Sequence, residues 1–278
     1  MKKIGFIEYY LNEGHAIAYP DLIKKYGEGR YEVAYAYAHV ESPAGGMTNA
    51  EWAEKNGVTL CDTIEEVIEK SDVLMVLSPD NPEMHEFLCD LPLKSGKLVY
   101  VDKTFAPDKA TAERIFAIAD AHGTKCYSSS ALRFATELGE IDKSKIFKIY
   151  SEGQPPFDIY SIHQIEPVVI LMNTPAKRVM ATGDIKHPAF TIEFADGRLA
   201  QIYQAGWLGF RITLVDEDNQ GKVIPIQSPF FDLFIQELID FFDTGVIKAP
   251  HEDTLEVIAI REAAEKACHN PFTWVDVK

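Results

Sequence analysis

Residues 71–78, SDVLMVLS, carry the first clue to the fold. Every position from Val73 to Leu77 is apolar, with none of the alternation of a half-exposed strand. A short continuous apolar run of this kind reads as a strand covered on both faces, as in parallel sheets flanked by crossover helices. The surrounding sequence agrees. Upstream, Lys3–Glu8 and Val33–His39 read as strands. Thr48-x-x-Glu51 is a capping box for a helix that stops at Gly57, and Asp62-x-x-Glu65 marks the start of another. Downstream, Asn81-Pro82 are an N-cap and first-turn pair, and Lys97–Asp102 is the next strand. Asp108 then caps a helix with Ala112, Ile115, Phe116 and Ala119 on one face. Strands alternating with helices over residues 1–127 predict an α/β domain with a doubly wound parallel sheet.

After Cys126 the pattern changes. A helix-turn region at 132–145 leads into a strand at 145–152 and a helix over 155–173. Longer strands follow, with a hairpin signal at Asp196-Gly197 and a looser turn within 211–227. Ser228-Pro229 opens a helix with apolar residues at 230, 231, 234, 238, 241 and 242, stopped by Gly245. Asp253-x-x-Glu256 caps the last helix. Strands in a block with helices to one side predict a second, α+β domain at 128–278 with an open, mostly antiparallel sheet.

The 278 residues suit two domains, and a hydrophobic content of 46% suits packed interiors. A net charge of −16 argues against a nucleic-acid partner, which needs clustered Lys and Arg. Cys61, Cys89, Cys126 and Cys268 form no C-x-x-C pair, and no His or Cys falls at zinc spacing, so no metal is expected. They read as reduced, mostly buried thiols of a cytoplasmic protein. Met1-Lys2-Lys3 precedes too short an apolar stretch for a signal peptide, and no run reaches membrane-spanning length.

The stretch 99–123, VYVDKTFAPDKATAERIFAIADAHG, resembles the Gfo/Idh/MocA family of NAD(P)-dependent oxidoreductases. The family's Glu-Lys-Pro motif at a strand end is matched by Asp102-Lys103-Thr104. Residues 162–173, IHQIEPVVILMN, are similar to its His-x-x-Asp stretch, with His163 in the histidine place, and 251–267 looks like its closing helix. The resemblance spans nearly the whole chain. It implies a Rossmann-type dinucleotide-binding domain followed by a substrate-binding domain that often makes the oligomer contact, here a homodimer or homotetramer. It also implies NAD or NADP as cofactor and a sugar, inositol or similar polyol as substrate.

Where such a fold has glycines that let a pyrophosphate approach bare backbone, this chain reads Glu8-Tyr9-Tyr10-Leu11-Asn12-Glu13-Gly14. Only Gly14 survives, followed by His15 in a matching place. At ~5 Å and an effective dielectric of ~20, each carboxylate–phosphate pair costs roughly 3 kcal/mol. The following helix either begins near Asn12 with Pro20 as a kink, or begins late, at Pro20. Two readings stay open: a reshaped turn that holds the cofactor through Ile7, Tyr9, Tyr10, Asn12, Gly14 and His15, or a structural turn without a ligand. Ser78-Pro79 matches a family Ser-Pro beside the nicotinamide ribose, and His85 matches a helix histidine, unless it is a helix-surface residue. Glu41, after the second strand, can take adenosine ribose hydroxyls, which favours NAD over NADP.

Removing a hydride from an alcohol requires a base for the hydroxyl proton. Lys103 lies just past the carboxyl end of a parallel strand, where doubly wound sheets place ligands, and Asp102 precedes it. A Thr in place of Pro at 104 predicts a trans Lys103–Thr104 peptide bond. His163 is the second catalytic candidate, with Asp158 and Glu166 as acids able to orient it or touch substrate. The leading function is an NAD(P)-dependent oxidoreductase of a polyol or sugar-like alcohol. The rival is a non-catalytic family member with a degenerate nucleotide cleft that binds a small ligand or acts as a scaffold.

Overall fold

The computed structural model describes residues 1–278, which divide into two compact units. The first comprises Met1–Ala106, Ala110–Ser129 and Phe234–His251. The second comprises Pro107–Lys109, Ser130–Leu233 and Glu252–Lys278. The chain passes between the units more than once: Pro107–Lys109 count with the second, and most of α8 (Phe230–Thr244) counts with the first. The cause is packing. Phe234 lies against Tyr19 and Tyr100, and Phe241 against Tyr127, so this helix completes the aromatic core of the first unit.

The first unit is a six-stranded sheet in the order β3-β2-β1-β4-β5-β6, parallel throughout. Its strands are β1 (Lys2–Glu8), β2 (Tyr31–Ala38), β3 (Thr59–Leu60), β4 (Val73–Val76), β5 (Val99–Val101) and β6 (Cys126–Tyr127). This is the doubly wound order whose topological switch falls between β1 and β4. All four residues of β4 are buried, as its unbroken apolar sequence requires. The crossover helices are α1 (Gly14–Tyr26), α2 (Asn49–Asn56), α3 (Ile64–Lys70), α4 (His85–Lys94) and α5 (Lys109–His122).

The Thr48–Glu51 capping box is formed, and α2 ends on a left-handed Gly57. The next cap lies one residue later than the sequence suggests. Thr63, not Asp62, caps α3 by accepting from Glu66 N–H, and this register buries Ile64 and Val67. Asn81 makes no side-chain cap; a 3₁₀ turn at Pro82–Met84 precedes α4. Of the two readings of the first helix, the early start near Asn12 holds and the late start at Pro20 does not. α1 starts at Gly14 and carries Pro20 inside it.

The second unit has a seven-stranded sheet, β12-β11-β7-β10-β9-β8-β13, antiparallel except where β7 pairs with β10. Its strands are β7 (Lys148–Gly153), β8 (Ala176–Ala181), β9 (Ala189–Phe194), β10 (Leu199–Gln204), β11 (Arg211–Val215), β12 (Gly221–Pro225) and β13 (Trp274–Asp276). The Asp196-Gly197 turn joins β9 to β10, with Gly197 at φ +86°. A short helix α6 (Thr136–Gly139), a long helix α7 (Phe157–Met172) and α9 (His251–His269) complete it. α9 starts before Asp253. Arg133 draws the Asp253 carboxylate (2.6 Å), and Glu256 accepts from Ala176 N–H. All four cysteines are free and buried. No helix is long and apolar enough to cross a membrane.

Gly5 in β1 lets α3 approach the parallel sheet closely. A Cβ there would lie 2.4 Å from both Ser71 Oγ and Val67 Cγ1. Gly5→Ala is expected to cost about 1–3 kcal/mol by overpacking. A denaturant titration checks it; an unchanged midpoint would show that α3 yields without loss.

Candidate functional site

The carboxyl edge of the parallel sheet is lined by acids whose partners are mostly backbone amides. Glu8 ends β1 and is buried. Its carboxylate accepts from Tyr9 N–H (2.7 Å) and from Ser78 N–H (2.8 Å), the latter on a residue held at φ +77°. Glu13 is the N-cap of α1, and its two carboxylate oxygens take the His15 N–H (2.8 Å) and Ala16 N–H groups. Leu11 N–H goes to Asn49 Oδ1 (3.0 Å), and Asn12 Nδ2 is spent on Gly45 C=O (2.9 Å). Burial, reinforced by the charge of Glu13, holds the Glu8 carboxyl well above its ordinary range despite its two amide bonds. Burial raises Glu13 too, partly offset by His15 and the amides it accepts from.

A second cluster surrounds Asp102, fully buried just past β5. His15 Nδ1 lies 2.6 Å from Asp102 Oδ2, and Tyr19 OH lies 3.0 Å from the same ring nitrogen. Tyr100 OH (3.1 Å) and Lys103 N–H (2.8 Å) donate to Asp102 Oδ1. Burial pushes the Asp102 carboxyl up, but His15 and the Lys103 charge outweigh it, and it stays below its usual value. The Lys103 side chain is only 5% exposed, with Nζ 3.6 Å from Asp80 Oδ1. The Lys103–Thr104 peptide is cis, so the trans expectation does not hold. Thr104 is buried there, with its N–H directed to Pro79 C=O (3.4 Å).

Other positions from the sequence fall as follows. Ile7 is wholly buried in β1. Tyr9 and Tyr10 are half-buried, with ring centroids 5.6 Å apart, and Tyr9 stacks on His39. Gly14 begins α1 with no atom within 4 Å of where a Cβ would sit. Glu41 is exposed and accepts from Asn49 N–H (2.9 Å). His85 is no helix-surface residue. It is fully buried, with Nδ1 on Phe105 C=O (3.0 Å) and Nε2 on Leu77 C=O, where it braces α4 against the sheet edge.

In the second unit, His163 is half-buried on α7, with Nδ1 2.6 Å from Ser130 Oγ. Neither proposed acid orients it. Glu166 accepts from Ser130 N–H (2.5 Å) and pairs with Arg133 (2.9 Å), while Asp158 faces Arg261 at 3.6 Å. Ser130 and Arg133, in the stretch 128–134 SSSALRF, went unnoticed in the sequence; a serine triplet at the unit boundary is the one signal there. Beside His163, Gln164 Nε2 donates to Ser151 C=O and Tyr203 C=O (3.1 Å each). Its Oε1 is left without a partner, and so are both polar atoms of the buried Gln204 amide. Gln204 and Gly153 are register partners across β10 and β7, and a Cβ on Gly153 would press on Gln164 Oε1 at 3.0 Å.

The nicotinamide dinucleotide that the sequence resemblance implies can be tested against these residues. Its diphosphate would need backbone N–H groups at the start of α1 and in the turn before it. Those of Tyr9, Leu11, His15 and Ala16 are already bonded to side chains, three of them to carboxylates. As built, the turn does not fit a diphosphate. The Ser78 N–H is likewise taken by the Glu8 carboxylate, and no cluster of three or more His, Cys, Asp or Glu is disposed to hold a metal ion.

Solved structures share this fold over the full chain. GenD2 from gentamicin A biosynthesis, in complex with NAD, superposes at a TM-score of 0.78 with 14% identity, covering 100% of this chain and 97% of its own. A probable dehydrogenase from Thermotoga maritima gives 0.76 with 18% identity and coverage of 99% and 98%. Apo scyllo-inositol dehydrogenase from Lactobacillus casei gives 0.75 with 16% identity and coverage of 100% and 98%. No family model and no curated protein matches the chain by sequence. The likeness shows that this chain shares its fold with these proteins.

The raised carboxyls have a consequence for stability. A group whose folded pKa exceeds its unfolded value stabilises fully below the unfolded value, about 4.3 for Glu, and loses that contribution as pH rises through the folded one. Glu8 and Glu13 should therefore make the protein less stable as pH rises above 5. Glu13→Gln removes one of the two charges and should flatten that slope. Denaturant midpoints of both proteins between pH 5 and 8 measure it; parallel slopes would refute the coupling.

Proposed function

We propose that this protein is a nicotinamide-dependent oxidoreductase of the Gfo/Idh/MocA type, acting on a polyol or sugar-derived alcohol. The observation that carries the reading is Lys103, buried just past β5 beside the Asp102–His15–Tyr19 network. Burying an ammonium is costly unless it is paired, and the nearest carboxylate, Asp80, is 3.6 Å away and itself half exposed. Such a cation is suited to holding an alcohol or ketone oxygen at the edge of a parallel sheet. In the second unit, His163, with Nδ1 2.6 Å from Ser130 Oγ, is the candidate for the group that exchanges the alcohol proton.

Two observations support the finer assignments. The unpaired amide of Gln204 and the free Oε1 of Gln164 suit a ligand rich in hydroxyls, and inositol dehydrogenases are among the proteins that share the fold. Around a cleft of about 770 Å3 near the end of β2, the carboxylates of Asp62, Glu65, Glu83, Glu86 and Asp90 oppose a further phosphate, which favours NAD over NADP. Self-association as a homodimer or homotetramer belongs to the same reading, and sedimentation measures it directly.

A second reading, a non-catalytic small-ligand protein, is favoured by the carboxylate-filled amides of the first turn. Thermal melts separate the two. A dinucleotide at a hundred times its Kd should add about 2.7 kcal/mol. NAD+, NADP+, NADH and NADPH at millimolar levels should include one that raises Tm by several degrees, and silence from all of them would leave only the second reading. Lys103→Ala and His163→Ala should keep that shift and lower turnover by about 10²- to 10⁴-fold. Gln204→Leu removes an unsatisfied buried amide. It should leave Tm unchanged or higher, yet weaken binding of a polyol such as myo-inositol about tenfold; a lower Tm would point to a purely structural amide.

A further inference from the structure

We infer that Glu13 is a built-in occupant of the dinucleotide seat, and that a dinucleotide can bind only by displacing its carboxylate. This rests on the oxidoreductase reading and concerns how the same site is controlled. α1 begins at Gly14, and the Ile17 N–H is already satisfied by Glu13 C=O. The amides left to face an incoming anion are those of Gly14, His15 and Ala16, and Glu13 fills the last two with one oxygen each. A phosphate at a helix start makes the same kind of contact with the same kind of donor, so the two anions compete for one place.

Three further features fit an occupant rather than a simple cap. The N-cap role is usually filled by Ser, Thr, Asp or Asn, whose short side chains reach the amides without extending beyond them. A glutamate carries its charge further out, and here the Glu13 carboxyl is buried although desolvation opposes it. Glu8 sets a second carboxyl group on the Tyr9 and Ser78 amides, so further donors that a diphosphate would need are already taken. The space beside the helix start is open, since nothing lies within 4 Å of the missing Gly14 Cβ. Room for a ligand is present at the helix start; the donors for it are not.

The test compares affinity for NADH, by titration calorimetry, in wild type, Glu13→Ser, Glu13→Gln and Glu13→Asp. Serine keeps a good cap while clearing the seat, and Glu13→Asp keeps the charge. Melting curves without ligand confirm that each variant is folded. The expected result is at least a tenfold tighter Kd in Glu13→Ser, a smaller gain in Glu13→Gln, and none in Glu13→Asp. Equal or weaker binding by Glu13→Ser, with wild type binding NADH measurably, overturns the displacement idea and leaves the oxidoreductase reading standing. Absence of binding in wild type and in every folded variant overturns both.

Discussion

Backbone N–H groups at the carboxyl edge of a parallel sheet need acceptors, and the rest of this molecule's first unit is arranged around how that need is met. Many nucleotide-binding sheets leave those donors for a phosphate. In this chain glutamates supply the acceptor oxygens. Glu8 ties the end of β1 to Ser78 after β4, across the topological switch, and Glu13 closes the start of α1. The edge is thus complete without a ligand, at the cost of holding two carboxylates out of water.

Asp102 and Glu8 show how neighbours decide the outcome of similar burial. Both are nearly inaccessible to solvent. Asp102 has the His15 ring, a tyrosine hydroxyl and the Lys103 charge, and remains acidic. Glu8 has two amide donors but faces a second carboxylate, and its proton is held more tightly than usual. One edge therefore presents an acid held below its usual range beside the His15 ring and the Lys103 charge and, next to it, an acid pair inclined to keep a proton. Differences of this kind between adjacent carboxyls often separate chemical roles.

Much of the architecture was legible from residue patterns. The apolar run at Val73–Val76, the Thr48 capping box and the Asp196-Gly197 hairpin each have strictly local causes, and each forms as the local chemistry dictates. The misreadings arose where a distant partner intervened. Asp253 serves Arg133 instead of its own helix start, and Glu166 serves Arg133 and the Ser130 amide instead of His163. Glu8 and Tyr10 could be recognised as unwelcome to phosphate from their charge and bulk. The bonding of Glu13 to two amides could not, because it depends on α1 starting at Gly14 despite the proline six residues on. The surroundings of Ser130, Gln164 and Gln204 are set by residues far apart in sequence, across the β7–β10 pairing for the glutamines and from α7 for Ser130.

The return of Phe234–His251 to the first unit bears on how this protein could have arisen and how it can be taken apart. A gene fragment encoding residues 1–129 would lack the helix that seals Tyr19, Tyr100 and Tyr127, and would expose those rings to water. The polypeptide is laced through both halves, so neither is a cassette that recombination could exchange by a single crossover.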